Sequence, residues 1–314
     1  MDTPVRRILT GVAALILVII AFFLIRLYIE ARPVFSAYGA THFVFDNAWL
    51  PSKNLYGAWP LIAGTLITSA IALIIGVPIA VAAALFVTEL CPRPLRATLT
   101  ILVDLLAAVP SVVYGLWAVF FLIPKIKPAE QWFSDTFSFL PFVGGQVAGP
   151  NYFIAGLLLA TMIIPIVSAI SREVLATVPQ EHKEAALALG ATRWEMIRLA
   201  VLPYSRAGIS GAAMLGLGRA LGETIAVTLV IGNSAHLGST IFSQGYTLAA
   251  VIANEFGEAA SNPVHRASLI AAGLVLFLLT LVVNFIARFY VTRAEKKMLG
   301  GAPVAEPVAT GAAA

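Results

Sequence analysis

Residues 176–206 read ATVPQEHKEAALALGATRWEMIRLAVLPYSR. This stretch carries two helix-start signals and one stop. Thr177 with Gln180 has the spacing of a capping box, and Pro179 falls in the first turn. A helix is expected from there through Ala188. Gly190 supplies a left-handed stop. Thr192 with Glu195 is a second capping box, opening a helix expected to end near Pro203. A bare connector has no need of that much cap chemistry. From the residues alone two uses fit equally: a built platform, or two helices lying on a membrane with Trp194, Met196, Ile197 and Leu199 toward lipid.

The surrounding chain makes a membrane the relevant solvent. Of its 314 residues 60% are hydrophobic and only 11% charged, with a mean hydropathy of +0.91. Soluble domains carry roughly 25% charged residues, so this chain cannot coat a water-facing globule of its size. Disorder is excluded by the apolar content. A disulfide scaffold is excluded by a single cysteine, Cys91. The net charge of +4 is too mild to argue for nucleic acid.

Six apolar stretches can cross about 30 Å of hydrocarbon. They lie near 8–30, 60–87, 97–124, 152–175, 207–233 and 267–290. The first is read as an uncleaved span, because its apolar run outlasts a signal core and no small-residue cleavage site follows. Thirteen basic residues fall in the end segments and connections on one side and six on the other. The basic side is cytoplasmic by the positive-inside rule, which puts both termini in the cytoplasm. Three units are expected: an N-terminal end, first helix and outer loop over 1–59, a transmembrane domain over 60–291 containing the loop 176–206, and a largely disordered cytoplasmic tail over 292–314. The outer connections hold Trp49, Trp59 and Phe142, which suit interfacial anchorage or a docking surface for an outside partner.

The twentieth basic residue, Arg219, lies inside the fifth span, twelve residues from its start. A charge at mid-bilayer costs roughly 2.5–3.5 kcal/mol on insertion scales. Glu223 follows at i+4, which on a continuous helix puts it on the same face. The pair reads either as a structural ion pair, beside the close-packing Gly218 and Gly222, or as a fixed positive site for an anion. The guanidinium offers an oxyanion a planar fork of donors. Glu223 would hold that fork and accept a hydrogen bond from protonated phosphate, which sulfate cannot give. Asp104 is a lesser pathway candidate that could instead pair with Arg96 near the interface. Ser111, Tyr114, Thr224, Thr228 and Asn233 could line a polar path, though each alone is more often a helix-to-helix hydrogen bond worth about 1 kcal/mol. Glu89 and Glu173 close the second and fourth spans on the cytoplasmic side and read as interface residues near the loop 176–206. His42, His182, His236 and His265 have no metal-ligand spacing, no phosphate-binding loop is present, and no nucleophile motif occurs. A metal site or an enzyme with its own chemistry is not expected.

Two resemblances follow from these residues. Glu184-Ala185-Ala186, Gly190 and Leu202-Pro203 resemble the EAA loop of ABC importer permeases, with Ala200 where that family usually has Ile. The resemblance implies that the loop seats on a separate ATPase subunit, with Ala185 and Ala186 allowing close approach and Glu184 offering a charge. Gly216 through Thr228, followed by Ile231-Gly232-Asn233, closely resembles the PstC-type subunit of phosphate-specific ABC importers. So do Pro110 through Trp117, Ile170 through Leu175, Gly245 through Leu248 and Val251 through Phe256. The likeness runs from about residue 45 to 290. The sister PstA type usually continues its Arg-Ala-x-Gly-Glu-Thr with Ala-Pro, whereas this chain has Ala226-Val227-Thr228. The implied fold is an all-α, six-helix type I ABC importer transmembrane domain in the bacterial cytoplasmic membrane. The implied function is a phosphate permease subunit, with Arg219 and Glu223 as the transport-critical charges. The implied partners are a PstA-type second permease, two copies of an ABC ATPase, a soluble phosphate-binding protein, phosphate and lipid, and no nucleic acid. ATP and Mg would be used by the ATPase, and this chain would bind no cofactor. The rivals are the same machine with sulfate or molybdate and, from another class, an ion-driven secondary transporter, whose usual inverted repeats are not evident here.

Overall fold

The computed structural model describes residues 3–299; of the tail expected over 292–314, residues 292–299 continue the last helix and the rest lies outside the described residues. The described chain is helical apart from one short hairpin. In order, α1 (Thr3–Tyr38) and α2 (Ala40–Phe45) lead into β1 (Trp49–Leu50) and β2 (Leu55–Tyr56), then α3 (Trp59–Leu85), α4 (Arg93–Ala108), α5 (Ser111–Trp117) and α6 (Ile123–Thr136). The second half holds α7 (Tyr152–Ala176), α8 (Gln180–Ala188), α9 (Arg193–Met196), α10 (Leu202–Gly222), α11 (Ile225–Ile231), α12 (Leu248–Glu255) and α13 (Pro263–Leu299). The strands pair antiparallel, Trp49 with Tyr56 and Leu50 with Leu55.

Five stretches are long and apolar enough to span: Val5–Tyr38, Trp59–Leu90, Ser111–Thr136, Tyr152–Ala176 and Pro263–Arg293. A sixth is supplied by Arg193–Gly222 together with Ile225–Ile231, bent by 66°. Helices suit this environment because they satisfy their own backbone polar groups where no water is available.

Two spans differ from the sequence reading. The third, expected unbroken over 97–124, is interrupted: α4 ends at Ala108, and Val109 and Pro110 are both extended. Proline disfavours helical backbone in the residue before it and donates no N–H, so the spanning helix restarts at Ser111. The fifth, expected over 207–233, breaks at Glu223, which is extended at φ −71° and ψ 131°. No proline marks that point. Gly218 and Gly222 weaken the helix there instead.

Three π-helical turns, at Phe86–Leu90, Ala118–Leu122 and Ile197–Val201, each end two residues before a proline: Pro92, Pro124 and Pro203. A proline ring clashes with the carbonyl four residues back and leaves it without a donor. Before Pro124 and Pro203, where the helix continues, a π turn shifts the hydrogen-bond frame by one residue and absorbs the defect; before Pro92 the helix ends instead. The helix opened at Thr192 therefore does not end near Pro203 but continues through it into the fifth span.

The central body is α3 packed along α7, with α10 crossing both. Small residues set these contacts. A Cβ added at Gly76 would lie 2.9 Å from Ile163 Cδ1 and 3.2 Å from Ala160 Cα, and one at Gly216 would meet Val167 at 2.7 Å. Ile154, Leu158, Leu159 and Ile163 fill the core between them, all essentially closed to solvent. Asn151 ties α6 to the start of α7: its side chain accepts from the Ile154 amide at 2.8 Å and donates toward buried Glu130 at 3.2 Å. A second cluster at the outer-loop end joins α1, α2, the hairpin, α3 and α13 through Val34, Phe43, Trp49, Leu61 and Leu269.

At Gly64 an added methyl would run into the Tyr246 backbone carbonyl, which cannot swing aside, whereas at Gly11 nothing lies within 4 Å. Gly64→Ala is expected to cost about 1–3 kcal/mol by overpacking, and Gly11→Ala to be silent. Thermal midpoints of the purified variants in detergent check this. Equal midpoints would contradict the packing described.

Candidate functional site

The two interrupted spans meet. α11 packs on α5, with Gly115 close against Ala226 and Leu229. A side chain at 115 would collide with Leu229, so glycine there sets how near the two breaks can come. Tyr114 spans the first break: its hydroxyl donates to the Leu106 carbonyl at 2.8 Å, near the end of α4. Arg219 lies in the last turn of α10. Arg219 is exposed on this chain while its neighbours Ala220 and Leu221 are buried. Ser111, the first residue of α5, and Thr224, in the second break, are half-buried. Thr228 donates to the Thr224 carbonyl at 2.9 Å, and Asn233 to the Thr228 carbonyl at 3.0 Å. Gly232 and Asn233 end α11 in left-handed backbone, at φ +93° and +52°.

The expected pairing of Arg219 with Glu223 on one helix face is not found. The break comes between them, and among the described residues no ion pair or hydrogen bond joins them. Asp104 does not pair with Arg96. It accepts from Arg172 of α7 at 2.6 Å, and Arg96 instead donates to the Thr88 carbonyl. The Arg172 partnership is not legible in the sequence. Nothing in the spacing of residues 104 and 172 announces contact between separate spans.

The loop 176–206 folds as two helices meeting at Gly190, which sits at φ +85°. The second capping box forms: Glu195 accepts from the Thr192 amide at 2.8 Å, and the Glu195 amide donates to the Thr192 hydroxyl at 3.3 Å. The first does not. Pro179 occupies the cap position of α8 with no side-chain cap bond, and the Thr177 hydroxyl turns back to the Val174 carbonyl at 2.7 Å. Glu184 and Ala185 are exposed and Ala186 half-buried. Leu202 packs with the apolar cluster at this end, and Pro203 stays exposed. Ala185, Ala186, Leu189, Gly190, Leu199 and Tyr204 are among the residues lining an open groove of about 760 Å³. The loop thus exposes small Ala185 and Gly190 together with large apolar Leu189, Leu199 and Tyr204, beside the carboxylates of Glu184 and Glu195.

A span-depth cation beside two helix breaks, on a bundle that displays a two-helix loop, defines an integral membrane transport component. The family described as "Binding-protein-dependent transport system inner membrane component" matches residues 76–296, and the chain belongs to it. It is a multi-pass protein of the inner membrane. The phosphate transport system permease protein PstC of Mesorhizobium japonicum is 42% identical over 290 residues, covering 91% of this chain and 88% of that one. The protein of the same name from Pasteurella multocida is 46% identical over 268 residues, covering 84% and 83%. A chain in the crystal structure of a bacterial alginate ABC transporter bound to its periplasmic protein shares the fold, with a TM-score of 0.62 and 21% identity over 93% of this chain and 97% of that one. The architecture is the all-α transmembrane domain of type I ABC importers.

Tyr114→Phe removes the bond that bridges the first break. It is expected to destabilise the protein by about 1 kcal/mol, lowering the thermal midpoint by roughly 2 °C. An unchanged midpoint would mean that the Leu106 carbonyl contact contributes nothing.

Proposed function

We propose that this chain is the permease subunit of an ATP-driven phosphate importer. It supplies half of the translocation path, and a homologous second permease of the PstA type supplies the other half. A soluble phosphate-binding protein delivers the ion to the outer loops. Two copies of an ABC ATPase bind the two-helix loops on the cytoplasmic face, where both termini of this chain also lie. ATP and Mg are used on those ATPases, and this chain binds no cofactor.

The observation that carries this reading is the exposed guanidinium of Arg219 beside the broken fifth span, with the α4–α5 break on the element packed against it. A broken span is tolerated at membrane depth where it lines a cavity or is buried in protein. A fixed fork of donors in such a cavity suits a doubly charged oxyanion. The relatives named above favour phosphate. Glu223, released from the helix by the break, accepts a hydrogen bond from protonated phosphate, a bond that sulfate cannot offer. Ser111, Tyr114, Thr224, Thr228 and Asn233 supply the polar wall. Asp104, held by Arg172, braces α4 against α7. Glu184, Ala185, Ala186 and Gly190 meet the ATPase, and Leu202-Pro203 carries its movement into the fifth span. ATP-closed and open ATPases bind different permease states, and that difference drives alternating access.

The test is labelled phosphate uptake at micromolar concentration in cells lacking this gene, complemented with wild type or variants at equal membrane level. Wild type restores uptake, and excess sulfate does not compete. Arg219→Ala loses about tenfold to a hundredfold, as expected for a lost charged hydrogen bond. Arg219→Lys keeps the charge but not the fork and falls between. Glu223→Gln reduces phosphate uptake. If wild type restores nothing, the phosphate assignment fails. If Arg219→Ala matches wild type, the charge is a packing feature.

A further inference from the structure

Four ion pairs join described side chains. Arg26–Glu30 lies along one exposed helix face, and Arg172–Asp104 leaves its carboxylate 50% exposed. His265–Glu255 sits at the outer-loop end and also holds Trp49. The fourth, Lys183–Glu89, is closed to water at both ends. Its atoms stand 2.7 Å apart, with side-chain exposures of 11% and 9%.

Its position distinguishes it further. Lys183 lies on α8, one residue before the exposed Glu184-Ala185. Along α8, Lys183 and Ala186 turn inward while Glu184, Ala185, Leu187 and Ala188 face out. That is the i, i+3 division of a helix with one bound face. Glu89 lies in the π turn that ends the second span. The backbone leads from α8 to α7 on one side and, through Gly190, to α9 on the other. The Lys183–Glu89 bond therefore ties the loop to a span that is not its neighbour in sequence. That span is the one packed along α7 in the central body.

We propose that Glu89 and Lys183 are positioning residues that transmit movement of the two-helix loop to the second span. This rests on the coupling role proposed for that loop. A dry ion pair resists separation, because pulling it apart leaves two uncompensated charges out of water. α8 and the end of α3 then move as one body. Movement imposed at Glu184 and Ala185 reaches the central α3–α7 body directly, as well as along the chain through α10.

The test uses the full importer complex in membrane vesicles, reading phosphate transported and ATP hydrolysed together. Glu89→Gln and Lys183→Met are expected to lower phosphate moved per ATP by about tenfold, at unchanged complex level and with ATP hydrolysis retained. Glu89→Asp keeps the charge and most of the coupling. The exchanged pair, Glu89→Lys with Lys183→Glu, restores most of what either single change loses. Phosphate per ATP at the wild-type ratio in Glu89→Gln overturns the proposal. So does an assembled Lys183→Met complex in which uptake and hydrolysis fall in the same proportion. Where the single variants fail to assemble, the exchanged pair decides: restored coupling supports the link, and an assembled but uncoupled complex overturns it. Wild-type vesicles that move no phosphate would instead sink the proposed function, a failure visible before any variant is compared.

Discussion

Holding a full positive charge at the depth of a membrane span is the constraint from which the rest of this structure follows. Arg219 costs roughly 2.5–3.5 kcal/mol there on insertion scales. The residue expected to offset it, Glu223, stands beyond a break in the helix. The second break, at Val109-Pro110, directly precedes the span Ser111–Thr136, which packs against α11 through Gly115. Hydrocarbon gives loose backbone no partner, so breaks at this depth face water or protein. A cation beside a broken span, with a second break on the adjoining element, is the arrangement on which the proposed phosphate path rests.

The opening needs a rigid wall behind it. α3, α7 and α10 provide one, brought together by glycines at 64, 76, 208 and 216 whose hydrogens face neighbouring atoms. The lines along which force can travel are built with the same economy. A π turn before Pro203 lets one helix run from the capping box at Thr192 into the fifth span without a stop. A second π turn ends the second span and carries Glu89 to Lys183. Under the proposed coupling role, motion at the loop has a covalent route to Arg219 and an ionic route to the central body.

The number of spans, the helix pair at 176–206, its left-handed glycine and its second capping box were legible because they rest on local rules: apolar length, cap spacing and the conformational freedom of Gly190. The helix interruptions were less so. Pro110 does carry a local signal, but the apolar run through it is continuous and hid the break. The break at Glu223 has no proline, and only the packing of α11 on α5 marks it. The same gap misled the reading of Arg219 with Glu223, since i, i+4 spacing implies a shared face only on an unbroken helix. Glu89–Lys183 and Asp104–Arg172 join residues 94 and 68 positions apart. Contacts between spans carry no periodic signature in one sequence.

The central claim is that the Arg219 face opens on an aqueous path rather than on lipid or a dry helix contact. With Cys91 replaced by Ser, cysteines placed singly at 219 and at Ile74, an exposed apolar position of α3, can be exposed to a charged, membrane-impermeant thiol reagent in the assembled complex. The account predicts rapid modification at 219 and none at 74. Protection of 219 equal to that of 74, from both sides of the membrane, would contradict it.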